Sequence, residues 1–300
     1  MGLKKQYLAD LALLGVAFVW GTTFQLVKDA LADIDAYPFL AVRFLIAFLF
    51  LLPFWRGGWR CHPAAFRAGC YLFGGYAFQT IGLIWTTPGK AAFITGLSVI
   101  LVPFLAAVRE RKLPAWGACC GALLAASGLG FLTLEGAFLP GKGDLLVFCG
   151  AVFFALQILA VREAAKTMRA SNLTLIQLGM VSLLSFGVWA VDGGGVRWSP
   201  AVLWALGITS IPATAAAFLA QSWAQRFTSP DRVAVILAME PVFAGIFSYF
   251  FGSEAFGPQK ILGCALILAG IIVSELAGSA TEEKASAAGK AAEGKGLSGG

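Results

Sequence analysis

Long apolar stretches follow one another along almost the whole chain, each bounded by charged residues, glycine or proline. Ten of them are candidates for membrane-spanning helices, because a helix of about 20 apolar residues crosses the hydrocarbon layer of a bilayer. They lie at roughly 8–27, 37–55, 65–86, 90–108, 114–134, 144–161, 171–191, 200–224, 231–251 and 258–277. The pattern predicts an all-α polytopic membrane protein whose connections are too short for a separate soluble domain.

The stretch from Tyr76 to Gly128 occurs twice in the chain. Shifted by 142 positions, it falls without a gap on the stretch from Phe218 to Gly270. The matched positions include Gln79 with Gln221, Pro88 with Pro230, Lys90 with Arg232, Gly121 with Gly263, and Gly128 with Gly270. Upstream the offset is 134, and it places Asp10 on Asp144, Val27 on Val161 and Lys28 on Arg162. Such self-similarity indicates one structural unit used twice.

The repeat divides the chain into two units of five helices. We expect the first five-helix repeat at 1–136 and the second at 137–278. The remaining residues, 279–300, carry no apolar period and end in Gly-Leu-Ser-Gly-Gly, so we expect a disordered cytoplasmic tail.

Lysine and arginine residues cluster in alternate loops, which predicts the orientation of the chain. With the N-terminus in the cytoplasm, 16 of them lie on the cytoplasmic side and 5 on the other side. The excess of positive charge inside predicts that both termini are cytoplasmic. Because each unit has an odd number of spans, the second unit enters the membrane from the opposite side. The prediction is therefore an inverted repeat, with Lys90 outside and Arg232 inside.

The composition excludes several classes of function. Of the 300 residues, 59% are apolar and 13% are charged, whereas a soluble protein has about 25% charged residues. The net charge of +6 follows the loops and does not indicate nucleic-acid binding. The six cysteines lack metal-ligand spacing, and the single histidine, His62, has no catalytic partner. We therefore expect no metal, no cofactor and no enzymatic activity.

Charged residues inside the predicted spans are few, and two of them are informative. Glu240 lies near the middle of the ninth span and precedes Pro241, so it needs a partner or a wet cavity at a broken helix. Its role is either to bind substrate or protons, or to cap a neighbouring helix end. Arg43 in the second span is a charge partner for Glu240 or for a substrate carboxylate, or else it snorkels to the membrane surface.

Uncharged polar groups add to these charges. Gln79 and Gln221 are related by the repeat, and Gln157 lies in the sixth span. Amides bind amino, carboxyl and hydroxyl groups without a large desolvation cost. The structural alternative is hydrogen bonding between helices. Trp20 is too deep for the interfacial belt and, with Thr23 nearby, suits a cavity wall or simple packing.

Several motifs in this order resemble the EamA-type transporters of the drug/metabolite transporter superfamily. They are Trp20-Gly21-Thr22-Thr23-Phe24, Gly75 to Leu83 running on to Thr87-Pro88-Gly89-Lys90-Ala91, and Met239-Glu240-Pro241-Val242 followed by Glu254 and Gly263. The resemblance covers about residues 8 to 277. It implies a multi-pass exporter of small metabolites, often amino acids, in the bacterial inner membrane, working by alternating access.

The resemblance also implies a cavity built from spans one, three, four, six, eight and nine. The residues that it favours for substrate binding are Trp20, Thr23, Gln79, Gln157, Gln221 and Glu240, with Arg43 peripheral. The expected partners are a small-molecule substrate, the lipid bilayer and, through Glu240, protons. Substrate identity and oligomeric state stay open.

Two other classes of function compete with transport. A membrane-embedded enzyme on lipid-linked substrates would need polar catalytic loops, and the loops here are short and lack paired carboxylates. A structural or regulatory subunit would not need an inverted repeat with amides and a carboxylate at depth. The sequence favours a carrier over both.

Overall fold

The computed structural model describes residues 2–55, 62–111, 113, 116–133, 141–250, 257–259, 261–263, 265–270 and 272–273. The predicted tail at 279–300 lies outside these residues. In the described part of the chain the regular secondary structure is helical. An isolated antiparallel bridge joins Ile34 to Val196.

The helices of the first repeat follow the predicted spans closely. They are α1 (Gly2–Gly21), α2 (Phe24–Ala30), α3 (Ala36–Leu51) with a 3-10 turn at Leu52–Phe54, α4 (Pro63–Trp85), α5 (Pro88–Gly96), α6 (Ser98–Glu110) and α7 (Trp116–Thr133).

The second repeat has the same order of spans, although some spans are divided differently. Its helices are α8 (Lys142–Ala165), α9 (Ala170–Asp192), α10 (Pro200–Ser210), a π-helix at Ile211–Ala216, α11 (Ala217–Ala224), α12 (Pro230–Leu237) and α13 (Glu240–Phe250). A further apolar helical segment runs over Ile261–Gly270.

Six helical stretches of the described residues are long and apolar enough to cross a membrane. They are Lys4–Ala30, Ala36–Phe54, Pro88–Glu110, Lys142–Ala165, Ala170–Asp192 and Pro200–Ala224. They coincide with six of the predicted spans, and the protein is a multi-pass membrane protein. The count of ten spans and the side on which the termini lie remain predictions.

Three spans are interrupted within the part of the chain that the structure describes. The first breaks at Thr22 and Thr23, whose hydroxyls donate to the carbonyls of Val19 and Trp20 at 2.7 and 2.8 Å. Hydroxyls that bond back to the preceding turn compete with the helix ladder and bend it. The other two breaks lie between α5 and α6 and between α12 and α13.

These last two breaks occupy matched positions of the repeat. The second helical segment begins at Ser98 in one case and at Glu240 in the other, 142 positions apart. Pro241 has no N–H to donate, so it fits the first turn of α13, where that group would be unpaired in any case. The repeat is therefore visible in helix geometry as well as in sequence.

Reciprocal glycine contacts show how the two repeats are related in space. A Cβ atom added to Gly128 would lie 2.5 Å from the carbonyl oxygen of Gly263, and one added to Gly270 would lie 2.6 Å from that of Gly121. Each contact is the repeat image of the other. Two helices that exchange the same contact in both directions are related by an approximate two-fold axis.

Hydrogen bonds at opposite ends of the helix bundle are related by the same approximate two-fold axis. Lys28 Nζ donates to the carbonyl of Leu83 at 2.6 Å, and its counterpart Arg162 donates through Nη1 to the carbonyl of Gln225 at 2.5 Å. Leu83 and Gln225 are themselves 142 positions apart. We call these two regions the Lys28 end and the Arg162 end.

Candidate functional site

A cavity lies between the two repeats. Concave sites with mainly apolar walls and a few polar groups are typical of small-molecule binding. Its walls come from spans one, two, three, four, six, eight and nine. The lining residues are Trp20, Thr23, Phe24, Val27, Arg43, Tyr76, Gln79, Thr80, Leu83, Thr95, Gly96, Ser98, Phe154, Gln157, Ile158, Phe218, Gln221, Leu237 and Glu240.

All six residues that the sequence favours for substrate binding line this cavity, together with Arg43. Most of the lining consists of positions related by the repeat. Seven such pairs account for fourteen of the residues: Trp20 with Phe154, Thr23 with Gln157, Phe24 with Ile158, Tyr76 with Phe218, Gln79 with Gln221, Thr95 with Leu237, and Ser98 with Glu240. The approximate two-fold axis therefore passes through the cavity.

Glu240 is placed in the cavity by the break in the ninth span. It is the first residue of α13, and its side chain is 8% exposed. No hydrogen bond or ion pair joins its carboxylate to another described residue, while its charge interacts with Tyr76. A carboxylate in a low-dielectric site needs a counter-charge, a proton or water. This group is therefore available to a ligand.

Close packing between spans one and nine supports this arrangement. A Cβ atom on Gly21 would lie 2.5 Å from the carbonyl oxygen of Glu240 and 3.0 Å from the backbone nitrogen of Ala244. Only glycine lets the end of α1 approach the start of α13 so closely. The two helix breaks are consequently held side by side.

Arg43 is buried, with 3% exposure, and does not snorkel to the surface. Its Nε donates to the hydroxyl of Thr214 at 2.8 Å, and an Nη donates to the hydroxyl of Tyr76 at 3.4 Å. The guanidinium carbon also lies 4.8 Å from the centre of the Tyr76 ring and 5.5 Å from that of Phe44. Arg43 makes no ion pair with Glu240 among the described residues. Two hydrogen bonds and two aromatic faces compensate for its burial.

The three predicted glutamines are in different environments. Gln79 is half-buried, and its Nε2 donates to the hydroxyl of Thr95 at 2.9 Å. Gln157 and Gln221 are buried, and Gln157 Nε2 donates to Gln177 Oε1 at 2.7 Å and to Gln221 Oε1 at 3.4 Å. This hydrogen-bond network joins spans six, seven and eight and forms a polar part of the cavity wall. Gln79 is the more accessible of the amides.

Trp20 and Thr23 bring the break in the first span to the cavity wall. The indole nitrogen of Trp20 donates to the carbonyl of Ala213 at 2.7 Å, inside the π-helix of the eighth span. A π-helix has backbone groups outside the usual ladder and is common at functional sites. The hydroxyl of Thr23 is occupied by the carbonyl of Trp20, so it contributes mainly shape to the cavity.

Three aromatic residues that the sequence reasoning missed also form the wall. Tyr76, Phe154 and Phe218 lie with ring centres 5.3 Å apart for Tyr76–Phe154 and 6.0 Å apart for Tyr76–Phe218. The Trp20 ring lies 5.3 Å from that of Phe218. The repeat could have found one of them, because Phe154 is the counterpart of Trp20.

The cavity combines one carboxylate, one fixed guanidinium, amides and an aromatic wall. Among the described residues, no group of three or more His, Cys, Asp or Glu is close enough to hold a metal ion. The arrangement suits a small molecule that has both polar groups and an apolar body.

The comparisons with known proteins agree with this architecture. The model of the EamA-like transporter family matches the chain twice, at residues 7–134 and 141–276. An Archaeoglobus fulgidus protein named as an uncharacterized transporter is 36% identical over 277 residues, which is 92% of this chain and 88% of that protein. The Bacillus subtilis uncharacterized transporter YyaM is 23% identical over 281 residues, covering 87% of this chain and 92% of that protein.

Several solved structures match the chain, and one of them, a crystal structure, does so with a TM-score of 0.74 at 19% identity, covering 89% of this chain and 96% of the other. That likeness concerns the fold alone. The two family matches together span nearly the whole chain, one on each repeat. The protein is a member of the EamA-like transporter family.

Proposed function

We propose that the protein is a secondary carrier that exports amino acids or similar small amphiphilic metabolites by alternating access. The observation that carries the proposal is the cavity between the two repeats, where the unpaired carboxylate of Glu240 and the accessible amide of Gln79 lie near apolar walls. Carriers built from inverted repeats bind their substrate at the interface of the repeats.

The chemistry of the cavity supports a zwitterionic or polar neutral substrate. Arg43 brings one positive charge to the lining, and Glu240 brings one negative charge whenever its carboxyl group is ionised. A phosphorylated or strongly anionic substrate would call for several cationic side chains. The aromatic residues Trp20, Phe154 and Phe218 would then contact the apolar part of the substrate.

The topology completes the proposal. We place ten spans in the bacterial inner membrane, as two five-helix repeats at 1–136 and 137–278, with both termini in the cytoplasm. The 16-to-5 distribution of Lys and Arg supports this orientation. The Lys28 end is then outside and the Arg162 end inside. Family membership favours transport over the enzymatic and structural alternatives.

Counterflow in proteoliposomes tests the proposal directly. Vesicles loaded in turn with each of the twenty amino acids are assayed for uptake of the same labelled compound at tracer concentration. We expect accumulation for a subset of them. In Gln79→Ala the accumulation at low substrate concentration should fall about tenfold, because one polar contact with the substrate is lost.

A matched control is Gln25→Ala. Gln25 lies in the same membrane half, but its amide donates to Asp29 at an exposed position outside the cavity, so this variant should transport like the wild type. Correctly folded wild-type protein that shows no counterflow with any amino acid would contradict the proposed substrate class. Equal losses in both variants would contradict the assigned cavity.

A further inference from the structure

The cavity is not symmetric about the two-fold axis, although most of its lining is. Five lining residues lack a lining counterpart: Val27, Arg43, Thr80, Leu83 and Gly96. Three of these, Val27, Thr80 and Leu83, extend the cavity toward the Lys28 end. The cavity therefore reaches further toward the Lys28 end than toward the Arg162 end.

The counterparts of these three residues lie at the Arg162 end, and they are closed off. Val161, Ser222 and Gln225 are the repeat images of Val27, Thr80 and Leu83. The first three are 0% exposed and the other three 7%, 3% and 2%, so both sets are buried, and they differ in which of them lines the cavity. None of the three lines the cavity. The three residues that line the cavity at the Lys28 end therefore have counterparts at the Arg162 end that are packed away from it.

Gln225 is unusual for a packed interior residue. Neither its Nε2 nor its Oε1 has a hydrogen-bond partner in the described structure, and its counterpart Leu83 is apolar. Buried polar atoms without partners occur in five described residues, and three of these, Gln225, Thr228 and Asp231, fall within seven positions. An unpaired buried amide is costly, so its retention at this position needs a reason.

The ion pairs at the two ends also differ. Asp10 accepts two hydrogen bonds from Arg232, at 2.6 and 3.1 Å, and locks the Arg162 end. Their counterparts are Asp144 and Lys90, which interact electrostatically but form no ion pair within 4.0 Å. Asp144 instead accepts from the hydroxyl of Thr86 and, at 2.9 Å, from the backbone of Gly141. The same four positions are thus in two alternative pairings.

We propose that Gln225, with Val161 and Ser222, lines a second mouth of the cavity, which opens at the Arg162 end when the Asp10–Arg232 pair breaks. This inference rests on the proposed function. In the other state Asp144 pairs with Lys90 and closes the Lys28 end, while Asp10 accepts from Thr228. The unpaired amide of Gln225 then meets water or the polar part of the passing substrate.

Cysteine accessibility tests the second mouth without requiring transport. In a variant without the native cysteines, Gln225→Cys and Leu83→Cys are each introduced and reacted with a soluble maleimide in lipid nanodiscs, where both faces are accessible. We expect the reaction at position 225 to be slower than that at position 83, because Leu83 lines the cavity whereas Gln225 does not. Adding Asp10→Asn should speed the reaction at position 225 by about tenfold or more and slow it at position 83, because the partly buried ion pair at the Arg162 end is lost.

The matched control is Asp144→Asn, which removes the counterpart carboxylate. The cysteine at position 225 should still react slowly with the maleimide in this variant. Arg232→Gln breaks the same pair from its other side and replaces Asp10→Asn if that variant is not monodisperse. An unchanged rate at position 225 in the variants that break the pair overturns the proposal. Faster reaction at both positions indicates general loosening and overturns it as well.

Transport by Gln225→Leu gives a second, independent readout. Leucine removes the unpaired amide from the closed end and therefore favours the observed state over the alternative. We expect turnover about tenfold lower with no increase in KM from the Lys28 side. Wild-type turnover in this variant overturns the role of Gln225. Absence of transport in the wild type contradicts the proposed function instead, and leaves the accessibility result to decide on the second mouth.

Discussion

At the scale of single residues, the two charges in the membrane have different surroundings. Arg43 is held by Thr214 and Tyr76, whereas Glu240 has no hydrogen-bond or ion-pair partner among the described residues. The sequence could place both residues in spans, because charges in apolar runs are conspicuous. It could not decide between a snorkelling and a buried arginine, because that depends on a hydroxyl 171 positions away.

Replacement of the carboxylate should separate transport from coupling. Glu240→Gln keeps the shape of the side chain but cannot bind or release a proton. We expect substrate exchange to persist while transport driven by a pH gradient is lost, since a proton then has no carrier group at this depth. The measurement is uptake into proteoliposomes with and without an imposed pH gradient. The same dependence on pH in the variant and the wild type would remove Glu240 from coupling.

Replacement of the guanidinium should act on stability instead. Arg43→Gln loses charge-assisted hydrogen bonds and leaves space between Tyr76 and Phe44, at a cost of about 3 kcal/mol. We expect a clear fall in the apparent Tm in detergent, followed by intrinsic tryptophan fluorescence. Glu240→Gln serves as the control and should melt like the wild type. Equal Tm values for wild type and Arg43→Gln would mean that the observed contacts do not support the fold.

At the scale of helices, the sequence predicted span positions well and their interruptions partly. The span at 231–251 was expected to break near Pro241, and the break lies just before Glu240. The break at Thr22–Thr23 and the π-helix at Ile211–Ala216 were not predicted. Both depend on which backbone carbonyls accept hydrogen bonds from nearby side chains, such as those of Thr22, Thr23 and Trp20. The periodicity of apolar residues does not predict these hydrogen bonds.

The crossing of spans one and nine gives a prediction with an internal control. Gly21→Ala puts a methyl group within 2.5 Å of the carbonyl oxygen of Glu240, a backbone atom, whereas Gly15→Ala on the same helix meets nothing within 4 Å. We expect Gly21→Ala to destabilise the protein by about 1–3 kcal/mol through overpacking. Gly15→Ala should match or exceed the wild type, because alanine is the better helix former.

Apparent Tm and counterflow on the two glycine variants provide the measurement. The displaced α13 of Gly21→Ala should also reduce transport, because Glu240 moves with it. Wild-type stability in Gly21→Ala would show that the two helices are further apart than described.

At the scale of the whole molecule, the repeat was the most informative feature of the sequence. Its offsets relate the contacts seen at the two ends, so that Lys28 with Leu83 at one end identifies Arg162 with Gln225 as the counterpart at the other. It could not predict which end of the cavity is closed. In the mechanism that we propose, that choice depends on a small free-energy difference between two pairings, Asp10 with Arg232 and Asp144 with Lys90, and one sequence allows both.

The proposed carrier function and the proposed second mouth require the two repeats to have opposite orientations in the membrane, and two exposed positions test this most directly. Thr87 and Ser229 are repeat counterparts, and each caps the N-terminus of a helix. Thr87→Cys and Ser229→Cys are made separately in a variant without the native cysteines. Intact cells and inside-out vesicles are then treated with a membrane-impermeant maleimide. We predict that Thr87→Cys reacts only in cells and Ser229→Cys only in inside-out vesicles; reaction of both from the same face would contradict the inverted repeat.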